Sequence, residues 1–207
     1  MATYKHGVYV SEQATNLVIP NESTAGLQVI FGTAPINLAD TSNVNKPVIC
    51  YSYAEAVKAL GYSDDWGKYT LCQSMDACFR LFNVAPVIFV NVLNPATHKK
   101  ALNATAPIVG GKAVLEKEGV LTENLSVKVG NSALKLGEDY ALSFDDNGYL
   151  VVTFITPQTG TATFEGNELD ASKVTANDII GGVNASTGAE TGLELVRKIY
   201  PMFGLNA

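Results

Sequence analysis

Charge is scarce in this chain. Of its 207 residues, 16% are Asp, Glu, Lys or Arg, against about 25% in an ordinary globular domain. The net charge is −6 and the basic residues are scattered, so the electrostatic footprint of a DNA- or RNA-binding protein is missing. Only two histidines occur, His6 and His98. Neither stands near a cysteine or carboxylate cluster at ligand spacing, so both read as isolated surface residues and no metal is expected. The three cysteines show no C-x-x-C spacing. Cys50 falls in an apolar strand, and Cys72 and Cys78 lie on different sides of a helical stretch. All three read as reduced thiols filling core space, which fits synthesis in a reducing cytoplasm. No run approaches the roughly 18 apolar residues of a membrane-spanning helix. The opening residues carry no apolar signal-peptide core. Neither G-x-G-x-x-G nor a P-loop lysine pattern is present, and no cofactor is expected.

What replaces charge is Asn, Thr, Ser and Gly, alongside 47% hydrophobic residues. A polar but weakly charged surface suits a subunit packed among copies of itself; a mildly under-charged monomer fits the same composition. The chain opens on a short β-prone stretch, Gly7-Val8-Tyr9-Val10, followed by the polar run Ser11–Asn16. A strand without a sequence neighbour needs a sheet edge to satisfy its backbone donors and acceptors. On the residues alone, that edge belongs equally well to this chain's own sheet or to another subunit's.

Four segments follow from the patterning. Residues 1–24 read as an extended amino-terminal arm ending in the turn-rich Pro20-Asn21-Glu22-Ser23. From residue 25 to residue 98 the pattern is α/β. Leu27–Phe31 and Val48–Tyr51 read as strands, and Ser52-Tyr53-Ala54-Glu55 is a capping box for a helix stopping at Gly61. A longer helix is predicted over Tyr69–Phe82 with Leu71, Met75, Cys78, Phe79 and Phe82 on one stripe. The unbroken apolar run Val87–Leu93 predicts a strand covered on both faces. Strand, helix and strand in that order predict a right-handed crossover onto a largely parallel sheet.

Near Asn94-Pro95 the character changes. Residues 99–186 are the more acidic part and carry hairpin signals at Gly130-Asn131 and Asn147-Gly148. They read as an inserted small antiparallel β domain, a sandwich or partial barrel. Helical character returns with a second apparent capping box, Thr187-Gly188-Ala189-Glu190, opening a helix through Tyr200 that Pro201 breaks. Leu193, Val196 and Tyr200 would form its buried face. The fold class is therefore α/β plus β: an open α/β sheet with helices (residues 25–98 and 187–207, incomplete), interrupted by the β domain and preceded by the arm.

The motifs with chemical potential have structural readings. Asp64-Asp65 and Asp145-Asp146 sit where caps and turns want carboxylates. Gly110-Gly111 and Gly181-Gly182 flank the insertion and read as hinges. No convergent polar cluster points to an enzyme. Tyr140, Phe144, Tyr149, Phe154 and Phe164 could line a groove on the β domain or fill its core. The first choice would make it a surface-exposed binding module for a cell-surface glycan or another protein.

The order and spacing of several segments carry a resemblance. Gly7-Val8-Tyr9-Val10, then Gly26–Thr33, Asn45-Lys46-Pro47-Val48, Ala85–Val92 and finally Thr191–Val196 resemble the amino-terminal half of contractile phage tail sheath proteins. The stretch between about Lys99 and Asn184 matches only as a β-rich insertion in the expected place. The resemblance implies a structural, non-enzymatic subunit of a virion tail or phage-tail-like particle, assembled in the bacterial cytoplasm. It implies as partners the neighbouring sheath copies, the tail tube and the baseplate, with no direct contact to nucleic acid or membrane. It implies that the arm residues Gly7, Val8, Tyr9 and Val10 add a strand to an adjacent subunit, and that the chain corresponds to an amino-terminal portion.

Overall fold

The computed structural model describes residues 26–203. Three strands build the first sheet: β1 (Gln28–Gly32), β2 (Pro47–Cys50) and β3 (Val87–Asn91), in the order β1-β3-β2. Every residue of β3 is buried, as its apolar run predicts for a central strand. β1 runs parallel to β3, pairing Gln28 with Val87 through Gly32 with Asn91. β2 runs antiparallel to it, pairing Pro47 with Val90 and Cys50 with Val87. The largely parallel sheet expected from sequence is therefore a mixed one. The connection from β1 to β2 contains only two short 3-10 turns, Ile36–Leu38 and Thr41–Asn43. With no helix to carry the chain back over the sheet, β2 enters in the reverse direction.

Helix α1 (Tyr53–Leu60) starts where its capping box predicts. The Ser52 hydroxyl accepts the Glu55 N–H at 3.3 Å, while the Glu55 carboxylate reaches one residue further back, to the Tyr51 N–H at 2.8 Å. It ends at Gly61, whose φ of 79° and close approach to the Pro35 carbonyl leave no room for a Cβ. Helix α2 (Thr70–Met75) is capped from β1's exit: the Thr33 hydroxyl accepts the Thr70 N–H at 3.1 Å and the Thr33 carbonyl accepts the Leu71 N–H at 2.9 Å. Past Met75 the helix widens into a π-helical stretch, Asp76–Leu81. Leu71, Met75 and Cys78 stay inside, joined by Cys72. The predicted stripe fails at its end, because the wider turn rotates later side chains out of phase. Phe82 is left 73% exposed.

The β unit is one seven-stranded antiparallel sheet: β4 (Lys99–Val109), β5 (Lys112–Leu115), β6 (Val120–Val129), β7 (Ser132–Leu134), β8 (Tyr140–Phe144), β9 (Leu150–Phe154) and β10 (Thr161–Leu169). Its order is β7-β6-β10-β4-β5-β9-β8. Both predicted hairpins form, β6–β7 around Gly130-Asn131 and β8–β9 around Asn147-Gly148. The long β4 serves two neighbours, pairing with β10 from Lys99 to Pro107 and with β5 at Ile108 and Val109. The sheet curls about that shared strand around one core that includes Leu102, Leu115, Val127, Tyr140, Leu150 and Phe164. A second core lies beneath the mixed sheet and takes Leu121 and Leu169 from the β unit along with Leu71, Met75, Val87 and Phe89.

The return segment differs from its sequence reading. Residues 184–188 form a turn, with the Asn184 carboxamide oxygen accepting the N–H groups of Ser186 and Thr187. The turn closes a two-residue ribbon, β11 (Gly182–Val183) with β12 (Glu190–Thr191). Glu190 is thus a strand residue and not a helix cap. A functioning Thr-x-x-Asp box lies upstream at Thr175 and Asp178, opening α3 (Ala176–Ile180). After a 3-10 turn over Gly192–Leu195, α4 spans Val196–Met202 with Pro201 inside it. Pro201 sits in the last turn, where its missing N–H costs one bond and does not end the helix. Gly192, Leu195 and Ile199 are buried here, while the expected Leu193 is exposed.

Candidate functional site

Buried polar groups concentrate where the two sheets join. β3 ends on Asn91, which is fully buried. Its side-chain oxygen accepts the N–H of Ala34 at 3.1 Å and of Leu93 at 3.0 Å, and its Nδ2 donates to the Ala34 carbonyl at 3.1 Å. The exits of β1 and β3 are thereby tied to one side chain. Three residues on, the Asn94 carbonyl accepts the N–H groups of Thr97 and His98, making the turn that feeds β4.

His98, expected at the surface, is buried in this joint. Its Nδ1 accepts the Asn94 N–H at 3.0 Å, and its Nε2 lies 3.3 Å from Asp178 Oδ1. Nδ1 is thus engaged as an acceptor, and Nε2 is the nitrogen that faces the carboxylate. The Asp178 carboxyl is held below the ordinary carboxylate range, first by the Thr175 N–H and hydroxyl and then by His98. A cleft of about 520 Å³ opens beside the pair, lined by Asn45, Asn94, Asn177 and Thr191 among others. Both ring nitrogens are spent on Asn94 and Asp178, and no thiol or hydroxyl is hydrogen-bonded to the ring among the described residues. The arrangement fastens α3 to the start of β4; it has no free base for acid–base chemistry.

A second group of contacts fastens the β unit to the joint. The Ser63 hydroxyl donates to Glu118 at 2.8 Å. Glu168 is buried and meets Lys100 at 3.3 Å and Lys117 at 3.2 Å, the pairing that a buried carboxylate requires. The Leu169 N–H donates to the Gly119 carbonyl at 2.7 Å and the Asp170 N–H to the His98 carbonyl at 2.9 Å.

The arm residues Gly7, Val8, Tyr9 and Val10 lie outside the described residues, as does His6. Cys50, Cys72 and Cys78 are buried free thiols in the core beneath the mixed sheet. Burial pushes Cys50 up to about 11 and Cys72 to about 12, so both stay protonated at neutral pH. Asp65 caps its turn and pairs with Lys68 at 2.6 Å, and Asp145 accepts the Asn147 and Tyr149 N–H groups in the β8–β9 turn. The glycine pairs are not hinges. Gly110-Gly111 is the β4–β5 turn, and Gly181 is packed against the Thr191 carbonyl. Tyr140, Phe154 and Phe164 belong to the β core while Phe144 and Tyr149 are half-buried, so the five aromatics do not assemble into a groove. The His98–Asp178 pair had one local signal, the Thr175-x-x-Asp178 box; nothing near His98 points to a partner so far along the chain.

The chain is similar over nearly its whole length to the tail sheath protein of Burkholderia phage BcepMu. The two are 31% identical over 209 residues, covering 98% of this chain and 42% of that protein. The chain thus spans less than half the length of the relative it matches, consistent with an amino-terminal portion. No family model and no solved structure matches the chain. The resemblance carried by the ordered segments is therefore backed by a homologue of that name.

Proposed function

We propose that the chain is the amino-terminal portion of a contractile tail sheath subunit. Many copies would stack around a tail tube and, on a signal from the baseplate, collapse into a shorter and wider polymer that drives the tube through a target envelope. The observation that carries this reading is the likeness to a named tail sheath protein over 98% of the chain. The architecture supports it. A mixed-sheet body and a curled β unit are fastened by hydrophobic and buried polar contacts, as suits a part that moves as a rigid block between two packings. The low surface charge supports repeated packing against like subunits. In this reading residues 25–98 and 187–207 form the body, residues 99–186 the inserted unit, and residues 1–24 the linking arm, with Gly7–Val10 adding a strand to a neighbouring subunit.

Electron microscopy tests both parts. The chain joined to the remainder of a sheath polypeptide should form tubular polymers. Removing residues 1–20, or replacing Val8 and Val10 with Pro, should leave folded subunits that no longer link. Monomers from the unaltered protein would refute the sheath role. Ordinary tubes from the truncated one would refute the arm.

A further inference from the structure

The chain has a single tryptophan, Trp66, and the folded molecule leaves it 39% exposed. It borders a cleft of about 330 Å³ lined by Tyr62, Asp64, Trp66, Asp76, Arg80 and Leu81. That volume falls at the lower end of the range for small-molecule sites, about 300–1,000 Å³. Two separate stretches build it. The loop that follows α1 supplies Tyr62, Asp64 and Trp66, and the π-helical turn Asp76–Leu81 supplies the other three. Widened turns of this kind occur frequently at functional sites.

The lining side chains hold one another. Trp66 Nε1 donates to the Tyr62 hydroxyl at 3.4 Å, and Tyr62 meets Tyr53 edge-on with ring centroids 5.4 Å apart. The Arg80 guanidinium lies over the Tyr53 ring, 5.4 Å from its centroid, and donates to Asp76 Oδ1 at 2.8 Å. The Asp76 side chain is 13% exposed. Arg80 and Asp76 therefore form a fixed donor–acceptor pair, with further guanidinium N–H groups and the second carboxylate oxygen left for a ligand.

An aromatic surface beside such a pair matches a pyranose sugar. One face of the sugar ring is made of C–H groups that pack on an aromatic ring, and its hydroxyls each donate and accept. Other chemistries fit less well. Two carboxylates against one guanidinium repel a phosphate. A cationic ligand would find Arg80 already on the Tyr53 ring. We propose that this cleft is a carbohydrate site taking one or two neutral pyranose units, with Trp66 packed on the C–H face and Asp64, Asp76 and Arg80 bonded to the hydroxyls. The site belongs to the mixed-sheet body and not to the β unit, and sugar binding there does not depend on the sheath reading.

Trp66 is itself the reporter, because no other tryptophan contributes to the fluorescence. The 207-residue chain is titrated with cellobiose, maltose, lactose and diacetylchitobiose. D-mannitol serves as a hydroxyl-rich control without a ring face, and choline chloride and inorganic phosphate represent the competing chemistries. At least one disaccharide should shift the emission saturably, and mannitol, choline and phosphate should not. Trp66→Ala and Asp76→Asn, followed by saturation-transfer NMR of the sugar, should each weaken binding about tenfold or more, the effect of one lost charge-assisted hydrogen bond or its equivalent. Trp66→Tyr keeps an aromatic face and should retain most of the affinity. No saturable shift with any of the four disaccharides, an equal response to mannitol, a response to choline or phosphate instead, or undiminished binding in both weakening variants would overturn the proposal. The titration of the unaltered chain decides the matter even if a variant misfolds.

Discussion

Truncating Leu169 and truncating Phe164 should damage different halves of the molecule, although both residues lie on β10. Their odd separation puts them on opposite faces of the strand. Phe164 is fully buried in the core of the curled sheet, whereas Leu169, 7% exposed, packs with Leu121 into the core beneath the mixed sheet. Phe164→Ala should cost about 3–5 kcal/mol and Leu169→Ala about 2–5 kcal/mol, from lost transfer energy plus the cavity left behind. Against a net stability of about 5–15 kcal/mol these losses are large enough to read locally. Amide exchange followed residue by residue is the assay, with thermal unfolding as the global reference. Leu169→Ala should lower protection in β3 and α2 and spare β8 and β9; Phe164→Ala should do the reverse. If both variants loosen the same amides to the same extent, the cores are one cooperative unit and the two-core account is wrong. The same geometry bears on excising residues 99–186. That deletion removes Leu121 and Leu169 together, two side chains whose burial contributes about 1.5–3 kcal/mol each, so the remaining body should unfold at a lower temperature than the parent.

Two further outcomes follow from the packing. Gly192 has a φ of 59° and a Cβ there would run into the Ile179 carbonyl; Gly192→Ala should cost at least about 1–3 kcal/mol for the backbone conformation alone, seen as a lower denaturation midpoint, and an unchanged midpoint would contradict the close approach. Burial raises Cys72 from 9.0 to about 12, so its contribution is fully present below about pH 9 and is lost as pH rises toward 12. Chemical denaturation across that range should show a shallower alkaline decline in Cys72→Ala than in the parent, and identical slopes would show that the thiol titrates normally.

Local chemistry in the chain was enough for several elements. Asn147-Gly148 and Gly130-Asn131 each demand a tight turn between alternating strands, and both hairpins are there. Ser52 and Glu55 start α1 by satisfying amides within a few residues, and an unbroken apolar run had to be covered on both faces, as β3 is. The ordered motifs also carried the likeness to a tail sheath protein. Other features depend on partners distant in sequence, and only the tertiary structure decided them. The direction of β2 follows from what the β1–β2 connection lacks and from pairing with β3. The exposure of Phe82 follows from one widened helical turn whose residues show no distinct local pattern. Thr187–Glu190 and Thr175–Asp178 spell the same kind of cap, and long-range packing selects the second: Asp178 meets His98, while Glu190 pairs with Val183 in a ribbon. His98 looked solitary because its carboxylate is brought in by the return of the chain past the curled sheet. Leu169 and Phe164 are both apolar residues on one strand, and which core each fills is set by the face that meets α2 and β3, a property of the folded assembly of elements and not of either residue's neighbours in sequence.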